Sequence, residues 1–318
     1  MPHKGDQSRQ FRCANISLNK LPKQYMTIEF AVDPANPEVA DQIINMIRPN
    51  LDWFALLDTA FDHEKPGFSL PSDAVNCFQG IIFLDDLNGV APVLIPLPLE
   101  LAPERVPDLI KHRGNRPMLS FLGVEKGVSA ADLAEQWETL HWLSPEEGKP
   151  YLLRMADTRT LPILPKILDT EQWQAIHQNI VEWHIISRRG KLEGIPLEKT
   201  DKRLPSKLEI TEKRFAQIVE LNEPDAMLSA INNRNSKAIP KDMTGYRFYN
   251  LASQMLGRTA RYDITHWGDK VSLVILAVGT NGEVLDDPEV DAWMKAKEWE
   301  EGEAGTAAGS APCFARWK

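Results

Sequence analysis

The segment PYLLRMADTRTLPIL, Pro150–Leu164, sets Arg154, Asp157 and Arg159 within six residues, directly after an apolar run. Two guanidinium groups and a carboxylate so close to a core must pair with one another or with a charged partner, because isolated buried charges are costly. As catalysis the trio offers stabilisation of negative charge and a carboxylate base. It lacks the nucleophile, metal set or proton-shuttling histidine that would complete a reaction centre. As structure, an Arg–Asp pair is planar, bidentate and rigid, and can lock a turn between a strand and a helix. We read the trio as such a brace.

A second candidate chemistry is metal-assisted hydrolysis of a phosphoester. Asp85 and Asp86 follow the apolar run GIIFL, and Asp58 ends the run WFALLD. Acids at strand ends are where α/β enzymes place ligands, and Arg154 or Arg159 could neutralise a phosphate. Acids in the same places also cap loops and solvate turns. His177 and His184, seven residues apart, would share a face of one continuous helix, but a hairpin is expected to begin between them. None of the motifs G-x-S-x-G, G-x-x-x-x-G-K-[ST], G-x-G-x-x-G, H-E-x-x-H or C-x-x-C occurs. No cofactor and no metal site are expected.

The chain has 318 residues, 43% hydrophobic and 25% charged, a composition ordinary for a soluble globular protein of about two domains. No apolar run approaches the ~20 residues of a membrane helix, and the first residues lack the apolar stretch of a signal peptide. Three scattered cysteines, Cys13, Cys77 and Cys313, fit a reducing cytoplasm better than a disulfide framework. A net charge of −9 argues against nucleic-acid binding by charge alone. The first 24 residues differ, with five basic residues against one acid. They read as a basic, solvated arm.

The elements that must position these residues follow from periodicity and punctuation. Strands are expected at Tyr25–Val32, Trp53–Ala60, Gly80–Leu87, Pro92–Leu99, Pro117–Glu125 and Tyr151–Met155. The prolines of Pro92–Leu99 suggest an edge strand. Helices are expected at Asn36–Arg48, capped by Asn36, at Ser129–Leu143 with a serine cap, and at Asp169–Ile180 with a capping signature. Glu182–Leu197 reads as a hairpin turning at Arg189-Gly190, and the charged stretch Glu198–Lys207 as a domain boundary. Beyond it about five helices follow, at 211–222, 223–234, 245–258, through the run Val271–Val278, and at 287–299. The fold class is therefore α+β or α/β. Residues 25–200 form an α/β lobe around a central sheet, 208–299 a helical lobe, and 300–318 a small, polar, disordered tail.

The order WFALLDTAF, GVAPVLIPL, SFLGVEKGVSAADLAEQWETLHWL, PYLLRMADTRTLPILPKILDTEQWQAI and EWHIISRRGKLEGI resembles the type VI secretion effector-adaptor chaperones, a family long catalogued only as a domain of unknown function. In that family an early strand ends in an aspartate, matched by Asp58. An "aPyL" segment is matched by Ala91-Pro92-Val93-Leu94. An arginine-bearing strand runs into an "R-x-x-D-P-R-v-L" turn, matched by Arg154, Asp157, Arg159 and Leu161. Thr158 stands where the family usually has proline, and Ala156 where an aromatic is common. The likeness covers Asp52 to Leu197.

The resemblance implies an adaptor, not an enzyme. Such a protein stays in the cytoplasm, binds an effector toxin and helps load it onto the VgrG spike, with no membrane partner. Asp58, Pro92, Trp137 and Trp142 are then candidate residues of the binding lobe. An immunity-type inhibitor that binds a toxin is a further alternative.

Overall fold

The computed structural model describes residues 28–62, 68–79, 87, 89–297, 299–311 and 313. The chain divides into two compact units, one of Phe30–Glu223 and one of Met1–Glu29 with Pro224–Lys318.

The first unit is built on an antiparallel sheet. Its strands are β1 (Leu51–Asp58), β2 (Val75–Asn76), β3 (Pro92–Pro96), β4 (Leu119–Glu125), β7 (Ile180–Ile186) and β8 (Leu192–Gly194), in the order β2-β3-β1-β4-β7-β8. β1 reads as a continuous apolar run because both faces of the sheet are covered. Trp53, Ala55 and Leu57 pack with Val39 and Ile43 of α1 (Val39–Met46) and with Val106 and Leu109 of α2 (Ala102–Arg113). Phe54 and Leu56 belong to the opposite core. There they join Leu133 and Trp137 of α3 (Ala130–Trp137), and Trp173 and Ile176 of α5 (Thr170–His177). The short helix α4 (Leu164–Ile167) precedes α5. A smaller sheet in the order β6-β5-β9 closes this second core, from β5 (Trp142–Pro145), β6 (Tyr151–Leu152) and β9 (Leu208–Ile210). The architecture is α+β, with a helical C-terminal region.

Several expectations are corrected. Ile28–Val32 is not a strand, and from Phe30 the chain enters a strap, Phe30–Asn36, that backbone contacts at Asp33 and Asn36 hold to a hairpin. β3 is not an edge strand. It lies between β1 and β2, and its prolines sit at its two ends, outside the β2 pairing at Val93 and Leu94. The helix from Ser129 stops at Trp137, and Trp142 and Leu143 turn back as β5. Its cap is as expected: Ser129 and Asp132 form a capping box, as do Asp169 and Gln172 at α5. α1 begins later than expected, at Val39. Asn36 gives its side-chain amide to Glu38 and its backbone N–H to the Gly190 carbonyl. The strand expected at Gly80–Leu87 lies almost wholly outside the described residues.

The hairpin of β7 and β8 turns where the sequence placed it, and the strap explains why Gly190 stands there. The backbone N–H groups of Asp33 and Asn36 donate to the carbonyls of Arg188 and Gly190, at 2.9 and 2.7 Å. Arg188 donates in return to Ala31 O, and the buried Arg113 donates to Asp33 O. Gly190 has φ of 69°, and a Cβ there would lie 1.9 Å from Pro34 O. Gly190→Ala is expected to cost about 2 kcal/mol, from left-handed backbone strain and a pushed strap. A urea midpoint equal to that of the parent would sink this account.

His141, between α3 and β5, is fully buried, edge-on to Phe78 at 4.8 Å, and neither ring nitrogen has a well-aligned partner among the described residues. Burial pushes its pKa down to about 4, against a smaller opposing effect of the Cys77 backbone. The imidazole is thus neutral in the folded protein until well below the unfolded value of 6.5. Between pH 6.5 and about 4 only the unfolded chain takes up this proton, so stability is present above that window and falls as pH drops through it. The slope from one such group approaches about 1.4 kcal/mol per pH unit. His141→Phe should flatten that part of a stability–pH curve measured by urea unfolding.

The first unit does not end at the charged stretch Glu198–Lys207. β9 follows that stretch and pairs in parallel with β5, so the unit extends to Glu223. One helix, α6 (Glu212–Asn235), replaces the two expected at 211–222 and 223–234. The second unit also holds α7 (Gly245–Arg261), α8 (Trp267–Gly279), α9 (Pro288–Ala296) and α10 (Ala304–Ser310). The segment expected as a disordered tail therefore contains a helix. Buried Asp269 of α8 binds it, accepting from the backbone of Gly302 and Ala304, both at 3.0 Å, and Ala304 and Ala308 are buried. The basic arm lies outside the described residues.

Candidate functional site

β1 delivers Asp58 to the end of the central sheet, with only 2% of its side chain exposed. Its backbone N–H donates to Met118 O at 2.8 Å, and the carboxylate accepts from Ala60 N at 3.1 Å. Arg154, just past β6, donates from Nη2 to Asp58 Oδ2 at 2.8 Å. Burial pushes the Asp58 carboxyl up, Arg154 pulls it down, and the charge of Asp157 adds to the upward push.

Asp157 is also buried and holds Arg159 in a fork. Arg159 Nε donates to Oδ1 at 3.0 Å, and Nη2 to Oδ2 at 2.6 Å. The Arg159 backbone N–H donates to the same Oδ1 at 2.9 Å. The Asp157 carbonyl accepts from Thr160 and Leu161, starting the turn into the short 3-10 helix Leu161–Ile163. Thr158 donates its backbone N–H to Pro117 O at 2.9 Å. A proline there could not make that bond.

The trio is thus two locks rather than one. Arg154 closes on Asp58, ninety-six residues away in sequence, and Arg159 closes on Asp157. Two aromatic rings join them. Arg154 lies over the Phe61 ring at 4.7 Å, and Arg159 lies 5.5 Å from Phe61 and 5.9 Å from Phe30. Phe30 and Phe61 meet edge to face at 5.3 Å. Phe61 belongs to the 3-10 turn Thr59–Asp62, whose Asp62 pairs with Arg116 and, at 2.9 Å, with His112. Sequence reasoning singled out none of Phe30, Asp62, His112 and Arg116. The available signal was the aromatic and acid immediately after the β1 aspartate.

The other candidates are placed differently. Pro92 pairs with Asp58 in the sheet and is buried, so it frames the site from behind. Trp137 has no exposed surface. It stacks on Trp183 at 6.2 Å and donates Nε1–H to Ile176 O at 2.8 Å. Pro92, Trp137 and Asp58 are all buried. Trp142 is partly buried against the second core. Asp58 is committed to an arginine, and Asp85 and Asp86 lie outside the described residues. His177 ends α5 and His184 lies in β7, so they share no helix face.

Residues 53–175 match the family model of a domain of unknown function (DUF4123), which spans the stretch from β1 into α5 and includes both locks. No curated protein and no solved structure matches the chain.

Proposed function

We propose that the chain is a non-secreted adaptor chaperone of a type VI secretion system, which binds an effector toxin and promotes its loading onto the VgrG spike. One observation carries the reading. The stretch that matches the domain of unknown function contains the Asp58–Arg154 and Asp157–Arg159 locks, the same positions that bear the resemblance to effector-adaptor chaperones. The Asp58–Arg154 lock joins distant parts of the first unit and the Asp157–Arg159 lock holds a turn rigid, which suits a preformed recognition surface. Cargo that must later be released favours a modest interface, with a few buried anchors inside a polar rim. Among the described residues no helix is long and apolar enough to cross a membrane.

Co-expression with a toxin encoded beside this chain should yield a soluble, stoichiometric complex. An insoluble, unbound toxin would overturn the reading. If the purified complex forms but the toxin in it is silenced, the chain is an immunity-type inhibitor. A metal-assisted phosphoesterase is disfavoured because Asp58, one of its three proposed ligands, is buried and already paired. A metal-dependent rise in Tm that Asp85→Asn abolishes would restore it.

A further inference from the structure

In the cluster at the end of β1 the acids lie inside and the guanidinium groups outside. Asp58 and Asp157 expose 2% and 4% of their side chains, whereas Arg154 and Arg159 expose 39% and 19%. Arg159 is engaged by its fork with Asp157. Arg154 differs. Only its Nη2 is used, on Asp58, and its Nε and Nη1 take no partner among the described residues. The side chain is nevertheless fixed, by a buried carboxylate on one side and the Phe61 ring at 4.7 Å on the other. A guanidinium that is oriented, partly desolvated and still owns spare donors is prepared to receive a second carboxylate.

We propose that Arg154 is the anchor of an interaction surface that takes a carboxylate side chain from an acidic segment of a partner protein. A partly exposed arginine fits a carboxylate in a bidentate fork, and the two acids nearest to it in the cluster are buried and already paired, so they repel little. A nucleic acid is the poorer fit, since a chain of net charge −9 repels a polyanion as a whole. The inference rests on the adaptor reading for the partner being a protein, and it names the chemistry of that partner.

The experiment follows the arginine Nε–Hε signals and the backbone amide signals of the full-length chain by nuclear magnetic resonance, the amides giving the affinity in variants that lack the Arg154 signal. The probes are a capped octapeptide alternating glycine and glutamate, its glutamine counterpart, and an oligothymidylate. The Arg154 signal, assigned with Arg154→Lys, should shift saturably with the glutamate peptide and not with the glutamine one. Arg154→Lys keeps the charge opposite Asp58 but loses the fork, and should bind roughly tenfold more weakly. The double variant Asp58→Asn/Arg154→Gln removes both charges together, leaves no buried carboxylate unpaired, and should abolish the response. Equal response to both peptides, no response, or unchanged affinity in Arg154→Lys and the double variant would overturn the proposal. So would tighter binding of the oligothymidylate at the same signal. If the peptides fail while the co-expressed complex forms, this inference alone is lost. If the glutamate peptide binds and no complex forms, the acidic-segment site stands and the adaptor reading falls.

Discussion

Asp157→Ala should lower the unfolding free energy by about 3 kcal/mol, read as a reduced urea midpoint. Removing one partner of a buried ion pair costs about 3–5 kcal/mol, because the other charge is left unpaired. The lower end applies here, since Arg159 keeps 19% exposure and can turn toward water. The substitution also removes the acceptor of the Arg159 backbone N–H, so the turn loses its local tie along with its charge pair. Because the turn is held rigid by this fork, binding of a co-expressed toxin should weaken together with stability. Loss of toxin binding at unchanged stability would instead make Asp157 a contact residue. Asp157→Asn separates the two effects further. It preserves the shape and the acceptor for the backbone N–H, and should recover part of the stability without restoring the charged fork.

Trp183→Ala should cost about 3–5 kcal/mol, the range for emptying a large buried aromatic site. Trp183 is the middle ring of three. It stacks on Trp137 at 6.2 Å and on Trp173 at 5.9 Å, each pair within 16° of parallel. Its Nε1 donates to Ser120 Oγ at 3.1 Å, reaching across from β7 to β4. Alanine would open a cavity, remove two ring contacts and leave a buried hydroxyl without that donor. Trp183→Phe keeps an aromatic ring between the outer two and should lose markedly less. A loss in the alanine variant no larger than that of an exposed substitution would show that the stack is not a structural centre of this unit.

The tryptophans also show where sequence reading stops. Trp137 reads from the sequence as a candidate residue of the binding lobe, yet Trp137, Trp173 and Trp183 are packed into one core. Whether an aromatic ring is inside or outside depends on which elements cover it, and no local pattern carries that. The error at Trp142 has the same origin. The apolar spacing of Leu140, Trp142 and Leu143 fits a helix face, but β5 gains pairing with both β6 and β9. Tertiary pairing overrode the local period. The strap at Phe30–Asn36 was expected to begin as a strand because its residues alternate. It is held instead by the turn of a hairpin some 150 residues later in sequence, a contact that no local window contains.

What the sequence determined by itself is everything set by short-range chemistry. The serine and aspartate capping boxes, the glycine turn of the hairpin, the apolar central strand ending in Asp58 and the α+β class all follow from residues a few positions apart. The density of charge at Arg154, Asp157 and Arg159 likewise announced an ion-pair lock, and the Asp157–Arg159 fork is indeed local. Only the tertiary structure decided that Arg154 belongs to Asp58, that Phe61 lies beneath its guanidinium, and that its side chain stays partly exposed. The reason is physical. A buried charge requires a partner, but which partner it finds is fixed by where the two sheets bring the ends of β1 and β6, and that placement is a property of the packed core rather than of any segment.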